Sequence, residues 1–172
     1  MNAFLLVLPL LLIRFGLLGM QGKSALSRAA LFAPLEGGEK AAYYVYQLSN
    51  VFILLYPLFL KVQTSSPLFI AGLFFYVLGM VVLVCSTLAF AKPNQSGLNI
   101  NSIYKLSRNP MYIGYFIYFV GCALLMHSII LFIAVFIFQL SAHWIILSEE
   151  RWCRSKFGSQ YIHYMKRVRR YL

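Results

Sequence analysis

The stretch MYIGYFIYFVGCALLMHSIILFIAVFIFQLSAHWIIL, residues 111–147, decides the fold of this 172-residue chain. It contains no Asp, Glu, Lys or Arg in 37 residues. A single helix of that length would extend about 55 Å, whereas the hydrocarbon core of a bilayer is about 30 Å thick. His127 and Ser128, an adjacent polar pair close to the midpoint, mark a turn. We therefore predict a membrane hairpin of two antiparallel helices, with both outer ends on one side.

Polar residues stand at both outer ends of the predicted hairpin. Arg108-Asn109-Pro110 precedes it, and Glu149-Glu150 follows it. Because the two ends of a hairpin meet at the same membrane face, we expect Arg108 and Glu149 to approach each other there.

The rest of the composition is that of an integral membrane protein, with 61% hydrophobic and 11% charged residues. Three further stretches have the length of a transmembrane helix, namely residues 3–20, 41–60 and 68–91. The sequence thus predicts an all-α membrane protein of about five transmembrane helices and a cytoplasmic C-terminal helix or tail. We expect a single domain over residues 1–172, in which residues 1–100 form a three-helix scaffold and residues 101–172 carry the functional motifs.

The net charge of +11 predicts the orientation and one class of partner. Basic residues crowd the loop before the hairpin, the C-terminal tail and the first connection, where Lys23, Arg28 and Lys40 lie, and cytoplasmic loops retain such an excess. We expect these segments on the cytoplasmic side, with anionic lipid headgroups as partners. A nucleic-acid partner is not expected, because the basic residues adjoin a membrane span and form no nucleic-acid module.

The remaining polar residues of the spans give weaker signals. Arg14 can either extend to the nearer interface or find a partner inside the membrane. Gln47, Ser49 and Asn50 are of the kind that hydrogen-bonds neighbouring helices. The Cys and His residues show no ligand spacing, so we predict no metal.

Each polar cluster has a structural explanation that must be weighed against a functional one. Asn109-Pro110 suits the start of a helix, since Asn caps helices and Pro fits the first turn. Adjacent glutamates near a helix end need compensation, which Arg154 can supply to Glu150 at a spacing of four residues. A continuing helix would also place Gln139, His143 and Glu150 near one face, which suggests a lined cavity.

Taken in order, the motifs resemble the isoprenylcysteine carboxyl methyltransferase family and the related membrane phospholipid methyltransferases. The resemblance covers residues 101–172 and rests on Tyr104, on Arg-Asn-Pro-Met-Tyr-Ile-Gly at 108–114, on Glu149-Glu150, and on Phe157-Gly158, Tyr161, Tyr164 and Arg167-Val168. It implies an enzyme that uses S-adenosylmethionine, with a cofactor pocket formed by the hairpin, the preceding loop and the tail. The chain departs from the family at Asn109, where His is frequent, and at Ser102, where Gly is frequent. Asn109 can position a cofactor by hydrogen bonding, but it cannot carry a proton as His can.

The resemblance also implies roles for individual residues. Catalytic roles are expected for Arg108, Glu149, Glu150 and Arg167. Cofactor-binding roles are expected for Tyr104, Arg108, Asn109, Pro110, Tyr112, Gly114, Glu150 and Tyr161, and also for His143, which shares a face of the predicted helix with Glu150. Arginine suits the carboxylate of the cofactor or of an acidic substrate, because its guanidinium binds a carboxylate through two hydrogen bonds.

The expected acceptor is lipophilic and enters from the bilayer, and two chemical classes remain open. The resemblance favours the carboxylate of a prenylated cysteine, and a phospholipid amine is the alternative. The tail at 153–158 also resembles sterol reductases, which bind a nicotinamide cofactor. A non-catalytic lipid-binding or assembly protein is a third possibility.

Overall fold

Six helices organise the chain in the computed structural model, which describes residues 1–22, 27–28 and 33–172. They are α1 (Ala3–Met20), α2 (Glu39–Leu55), α3 (Phe69–Ala91), α4 (Pro110–Leu125), α5 (Ile129–Phe157) and α6 (Ser159–Arg167). The prediction of an all-α protein is confirmed for this part of the chain, where no strand is present. Lys23, one of the basic residues assigned to the first connection, lies outside the described residues.

The predicted hairpin is confirmed by α4 and α5. Helix α4 ends at Leu125 and α5 begins at Ile129, so that the turn falls at His127 and Ser128. His127 has a φ of 49°, and the hydroxyl of Ser128 accepts a hydrogen bond from the backbone N–H of Leu131. This cap satisfies one of the N–H groups that the first turn of a helix leaves unpaired.

The predicted number of membrane spans is only partly matched. Among the described residues, α1, α3 and α5 are long and apolar enough to cross a membrane, and α4 is apolar but has 16 residues. The span predicted for residues 41–60 is shorter as an α-helix, because α2 ends at Leu55 and a 3₁₀ turn follows over Tyr56–Phe59. Pro57 explains this end, since proline has no N–H to donate and its ring obstructs the preceding turn.

Helices α3 and α4 are in very close contact, because glycines line both sides of their crossing. A Cβ atom at Gly79 would overlap the backbone of Tyr118, and one at Gly121 would overlap the backbone of Tyr76. Small residues allow membrane helices to approach closely and gain van der Waals contact. Tyr76 and Tyr118 also donate hydrogen bonds from their hydroxyls to the carbonyl of Leu6, which ties α1 to the same pair.

The other side of the hairpin packs on α2. The ring of Tyr46 in α2 stacks on that of Phe138 in α5, with 4.8 Å between the ring centroids. Helix α5 then continues to Phe157, where Gly158 reverses the chain with a φ of 52° and a ψ of −130°. This backbone conformation is essentially restricted to glycine. As a result, α6 and the last residues fold back toward the loop before α4.

Candidate active site

Glu150 is held between two arginines that come from different parts of the chain. Its side chain is 4% exposed, and its Oε1 lies 2.9 Å from Nη2 of Arg108, in the loop before α4. Its Oε2 accepts hydrogen bonds from Arg170 in the tail, at 2.9 Å from Nη2 and 3.2 Å from Nε. Arg154, which we considered as a partner from the spacing on the helix, is exposed and forms no ion pair with Glu150 in the described structure. The structural alternative to a functional role is therefore not observed for Glu150, because Glu150 faces the loop and the tail, which supply two buried or half-buried cations.

The tail is fixed along the loop by a set of hydrogen bonds. The backbone N–H of Arg108 donates to the carbonyl of Arg169, at 3.0 Å. The carbonyl of Arg170 accepts from Ser107 Oγ at 3.2 Å and from Asn109 Nδ2 at 3.1 Å. Asn109 therefore precedes α4 without capping it through its side chain, which binds the tail instead. These contacts place the guanidinium of Arg170 beside Glu150.

Helix α6 adds a further contact with the loop. Tyr164 donates from its hydroxyl to the carbonyl of Tyr104, at 2.6 Å. Burial raises the pKa values of Tyr104, Tyr161 and Tyr164, so these hydroxyls stay protonated at neutral pH. The ion pair with Glu150 likewise raises the pKa of Arg170, which keeps the guanidinium charged.

Glu149 differs from its neighbour because its hydrogen-bond donor is a neutral phenol. The hydroxyl of Tyr112, in the first turn of α4, donates to Glu149 Oε1 at 2.9 Å. The described structure gives Glu149 no ion pair within 4 Å. Two adjacent carboxylates thus have different surroundings, one neutralised by arginines and the other bonded to a phenol.

A cavity of about 480 Å³ joins these groups. Small-molecule and cofactor sites commonly occupy about 300–1,000 Å³. The predicted site residues that line it are Tyr104, Arg108, Asn109, Tyr112, Glu149, Glu150 and Tyr161. Its apolar wall includes Leu10, Leu54, Phe119 and Phe138. The cavity therefore combines charged groups at the helix ends with hydrophobic side chains farther along the helices.

Four predicted site residues lie outside the lining of this cavity. Pro110 is buried in the first turn of α4, and Gly114 packs against Leu83 of α3. His143 shares a hydrogen bond of 2.8 Å with the hydroxyl of Tyr171, through its Nδ1. Arg167 is exposed on α6 and borders a different cavity.

Sequence reasoning missed some of the residues that form the cavity. Arg170 was not predicted, because nothing in the spacing of the tail indicates that it returns to Glu150. Arg14 lines the cavity, contacts Met111 Sδ at 3.5 Å and hydrogen-bonds Tyr115. It therefore has partners within the protein, the second of the two alternatives considered for it. Gln47 and Asn50, to which we assigned no function, also line the cavity.

Three buried polar atoms of the lining residues have no hydrogen-bond partner in the described structure, namely Nε of Arg108, Oδ1 of Asn99 and Oε1 of Glu150. Glu150 Oε1 is still in ion-pair contact with Arg108 Nη2, so that Arg108 Nε and Asn99 Oδ1 are the two that remain unpaired. Leaving a buried donor or acceptor unpaired costs about 1–3 kcal/mol, more for a charged group. A polar ligand in the cavity would satisfy both atoms. Among the residues that the structure describes, no group of three or more potential metal ligands is present.

Comparison with known proteins connects this chain to a family of enzymes. A family model described as phospholipid methyltransferase matches residues 60–160, more than half of the chain. This family consists of membrane enzymes that use S-adenosylmethionine as methyl donor. The match includes Tyr104, Arg108, Tyr112 and the two glutamates, whereas the tail with Arg170 lies beyond it. No curated protein and no solved structure matches the chain.

Proposed function

Because the chain belongs to the phospholipid methyltransferase family, we propose that its cavity holds S-adenosylmethionine at the polar end and a lipid acceptor at the apolar end. Arg108 and Glu150 are near the outer ends of the hairpin. Phe119 lies nine residues into α4, about 13 Å along the axis, and Phe138 lies about 18 Å before Glu150. The depth of these aromatic rings supports the assignment of the inner part to an acyl or prenyl chain.

The residues present fit the chemistry of the cofactor. Its amino-acid part carries a carboxylate and an ammonium, and its ribose carries hydroxyls. The unpaired Nε of Arg108 can donate to the carboxylate, and Asn99 Oδ1 can accept from a donor such as the ammonium or a hydroxyl. When bound, the cofactor supplies an electrophilic methyl group. The observation that carries the proposal is the pairing of Glu150 with Arg108 and Arg170 in the wall of this cavity.

The protein groups act by positioning and by excluding water. Methyl transfer is an in-line displacement, for which holding donor and acceptor in line lowers much of the barrier. Arg108 and Arg170 fix Glu150, so that its carboxylate does not have to reorganise when the ligands bind. Tyr112 fixes Glu149 in the same way from α4. The aromatic and aliphatic wall keeps water from the reacting groups.

Two acceptors are each supported by a specific observation. The carboxylate of a prenylated cysteine, implied by the family resemblance, would find a cation in Arg14, which lines the same cavity. A phospholipid amine would find an anion in Glu149, which accepts a hydrogen bond from the phenol of Tyr112. Unlike the carboxylate, a protonated amine must lose a proton before it can accept a methyl group. Glu149 is the group placed to take that proton.

We propose that the site faces the cytoplasm, where the cofactor is soluble. The basic loop before α4 and the basic tail meet at the cavity, and an excess of such residues is typical of cytoplasmic segments. Cysteines introduced at Lys105 and Arg169 should therefore both react with a membrane-impermeant maleimide from the cytoplasmic side of inverted vesicles. Labelling of the two positions from opposite sides would contradict this topology.

The acceptor can be identified by transfer of a labelled methyl group. The purified protein is supplied with S-adenosylmethionine labelled in the methyl group and with either N-acetyl-S-farnesylcysteine or phosphatidylethanolamine. Base-labile label on the first substrate would support carboxyl methylation, and base-stable label on the second would support N-methylation. The matched variants are Arg14→Gln and Glu149→Gln, and the one that abolishes transfer should agree with the acceptor found. Transfer to neither compound would contradict both assignments.

A further inference from the structure

A second cavity lies beside the first, between the turn at Ser102–Lys105 and α6. Its volume is about 620 Å³. The polar residues that line it are Lys105, Ser159, Gln160, His163, Tyr164 and Arg167. We call it the basic groove. The side chains of Lys105, His163 and Arg167 are exposed, and none of them has an ion pair in the described structure.

The charge of the basic groove cannot be neutralised by the protein itself. The chain has four acidic residues, and all of them are engaged elsewhere. Glu36 and Glu39 pair with Arg151, Glu150 pairs with two arginines, and Glu149 is in the active-site cavity. An anion that pairs with the basic groove would therefore come from outside the chain.

Exposed apolar side chains are neighbours in sequence of residues that line the basic groove. Leu106, next to Lys105, is 69% exposed, and Ile162, next to His163, is 45% exposed. Cations together with exposed aliphatic residues on a short amphipathic helix are typical of segments that lie in the membrane interface. The anion that such a surface meets is the phosphate of a lipid headgroup.

We propose that the basic groove binds the phosphate of an anionic phospholipid. Lys105 and Arg167 supply the charge, and Ser159 and Gln160 supply neutral hydrogen-bond donors. Tyr164 lines both cavities, so that the lipid is bound next to the active site without contacting Arg108 or Glu150. This binding is separate from methyl transfer and does not depend on the identity of the acceptor.

Calorimetric titration of the detergent-purified full chain tests the site. The ligand is dioctanoyl phosphatidylglycerol, with dioctanoyl phosphatidylcholine and inorganic phosphate in parallel. The test variant is Lys105→Gln/Arg167→Gln. The control is Lys92→Gln/Arg154→Gln, which removes the same charge from exposed positions outside the groove. Thermal unfolding of each variant verifies that it is folded. If the double variant is not folded, Lys105→Gln alone is used as the test variant.

We expect saturable binding of phosphatidylglycerol that weakens about 30-fold in the test variant and about fivefold in Lys105→Gln, with the control unchanged. Equal losses in test and control variants would overturn the proposal, because the attraction would then come from the overall charge. Equally tight binding of inorganic phosphate would overturn the assignment to a lipid, and equal binding of phosphatidylcholine would overturn the role of charge.

Discussion

Glu150 is the residue on which the site depends, because the loop, α5 and the tail meet at its carboxylate. Arg108 and Glu150 could be predicted from the motifs around them, since polar residues at both ends of a hairpin must lie near one membrane face. Arg170 could not be predicted in the same way. Its position follows from hydrogen bonds between the tail and the loop, and backbone contacts of that kind leave no pattern in the sequence.

The two arginines on Glu150 should differ in their effect on stability. The side chain of Arg108 is 7% exposed, whereas that of Arg170 is 32% exposed. Removal of one partner from a buried ion pair costs about 3–5 kcal/mol, and exposed pairs contribute far less. We expect Arg108→Gln to lower the free energy of unfolding by about 3 kcal/mol and Arg170→Gln to lower it less. Thermal unfolding in detergent would measure both, and a larger loss for Arg170→Gln would contradict the assigned geometry.

Tyr112→Phe removes one hydrogen bond and little else. Its hydroxyl donates to Glu149, and a hydrogen bond to a charged group contributes about 1.5–3 kcal/mol. If the bond positions Glu149 for the reaction, turnover should fall about 10- to 100-fold while the affinity for S-adenosylhomocysteine is retained. The measurements are kcat and the dissociation constant for S-adenosylhomocysteine, on the variant and on the wild type. A normal kcat in this variant would show that the hydrogen bond from Tyr112 does not position Glu149 for the reaction.

Backbone conformation explains why glycine would suit one position at which this chain has another residue. Ser102 occupies a position where glycine is frequent, and its φ of 53° lies in the left-handed region that glycine adopts without strain. Gly114, which we predicted to bind the cofactor, allows α4 to approach Leu83 of α3. A glycine in a motif can thus reflect helix packing, and the sequence alone does not distinguish packing from ligand contact.

At the level of helices, the hairpin could be predicted and the second span could not. The uncharged length of residues 111–147 excludes a single helix, and the polar pair near its middle marks the turn, as observed at His127 and Ser128. Over residues 41–60, hydrophobic character continues past the point where Pro57 ends the α-helix. Hydropathy indicates that a segment is in an apolar environment. It does not indicate where the backbone hydrogen bonds of an α-helix end.

The crossing of α3 and α4 should tolerate no side chain at its glycines. Gly79→Ala and Gly121→Ala would each force a Cβ atom against the backbone of the other helix. Overpacking of this kind costs about 1–3 kcal/mol. We expect a lower unfolding temperature for both variants, with Gly16→Ala as the matched control, because in the described part of the chain no atom beyond its own helix backbone lies within 4 Å of its added Cβ. Equal stability of all three variants would contradict the close contact.

The start of α2 is joined to α5 by a pH-dependent ion pair. Arg151 Nη1 donates to Glu39 Oε1 at 2.6 Å and Nη2 donates to Oε2 at 2.7 Å, and this contact holds the pKa of Glu39 below its usual range. A lowered pKa means that the stabilisation is present above the pKa of the unfolded chain and is lost as the pH falls through that of the folded protein. Glu39→Gln should therefore be less stable than the wild type at neutral pH. The difference should disappear in acid, and a difference that persisted would argue against the ion pair as its cause.

The whole molecule is an integral membrane protein whose cavity is built by helices from both halves of the chain. Composition predicted the membrane, and the motifs predicted the part of the site in residues 101–172. Arg14, Gln47 and Asn50 complete the cavity from α1 and α2. Their contribution depends on how α1 and α2 pack against the hairpin, which hydrophobic spans of similar composition do not specify. The division into a scaffold and a motif region thus describes where the motifs lie in the sequence. It does not describe the cavity, because residues from both regions line it.

The central claim is that Arg108 and Glu150 form the cofactor-binding end of the cavity. Calorimetric titration with S-adenosylhomocysteine tests it most directly, on the wild type, on Arg108→Gln and on Arg154→Gln, which removes an exposed arginine of the same helix as Glu150. We predict saturable binding by the wild type and by Arg154→Gln, and loss of binding in Arg108→Gln that remains correctly folded. Unchanged affinity in a folded Arg108→Gln variant, or binding of NADPH in place of the nucleoside thioether, would contradict the account.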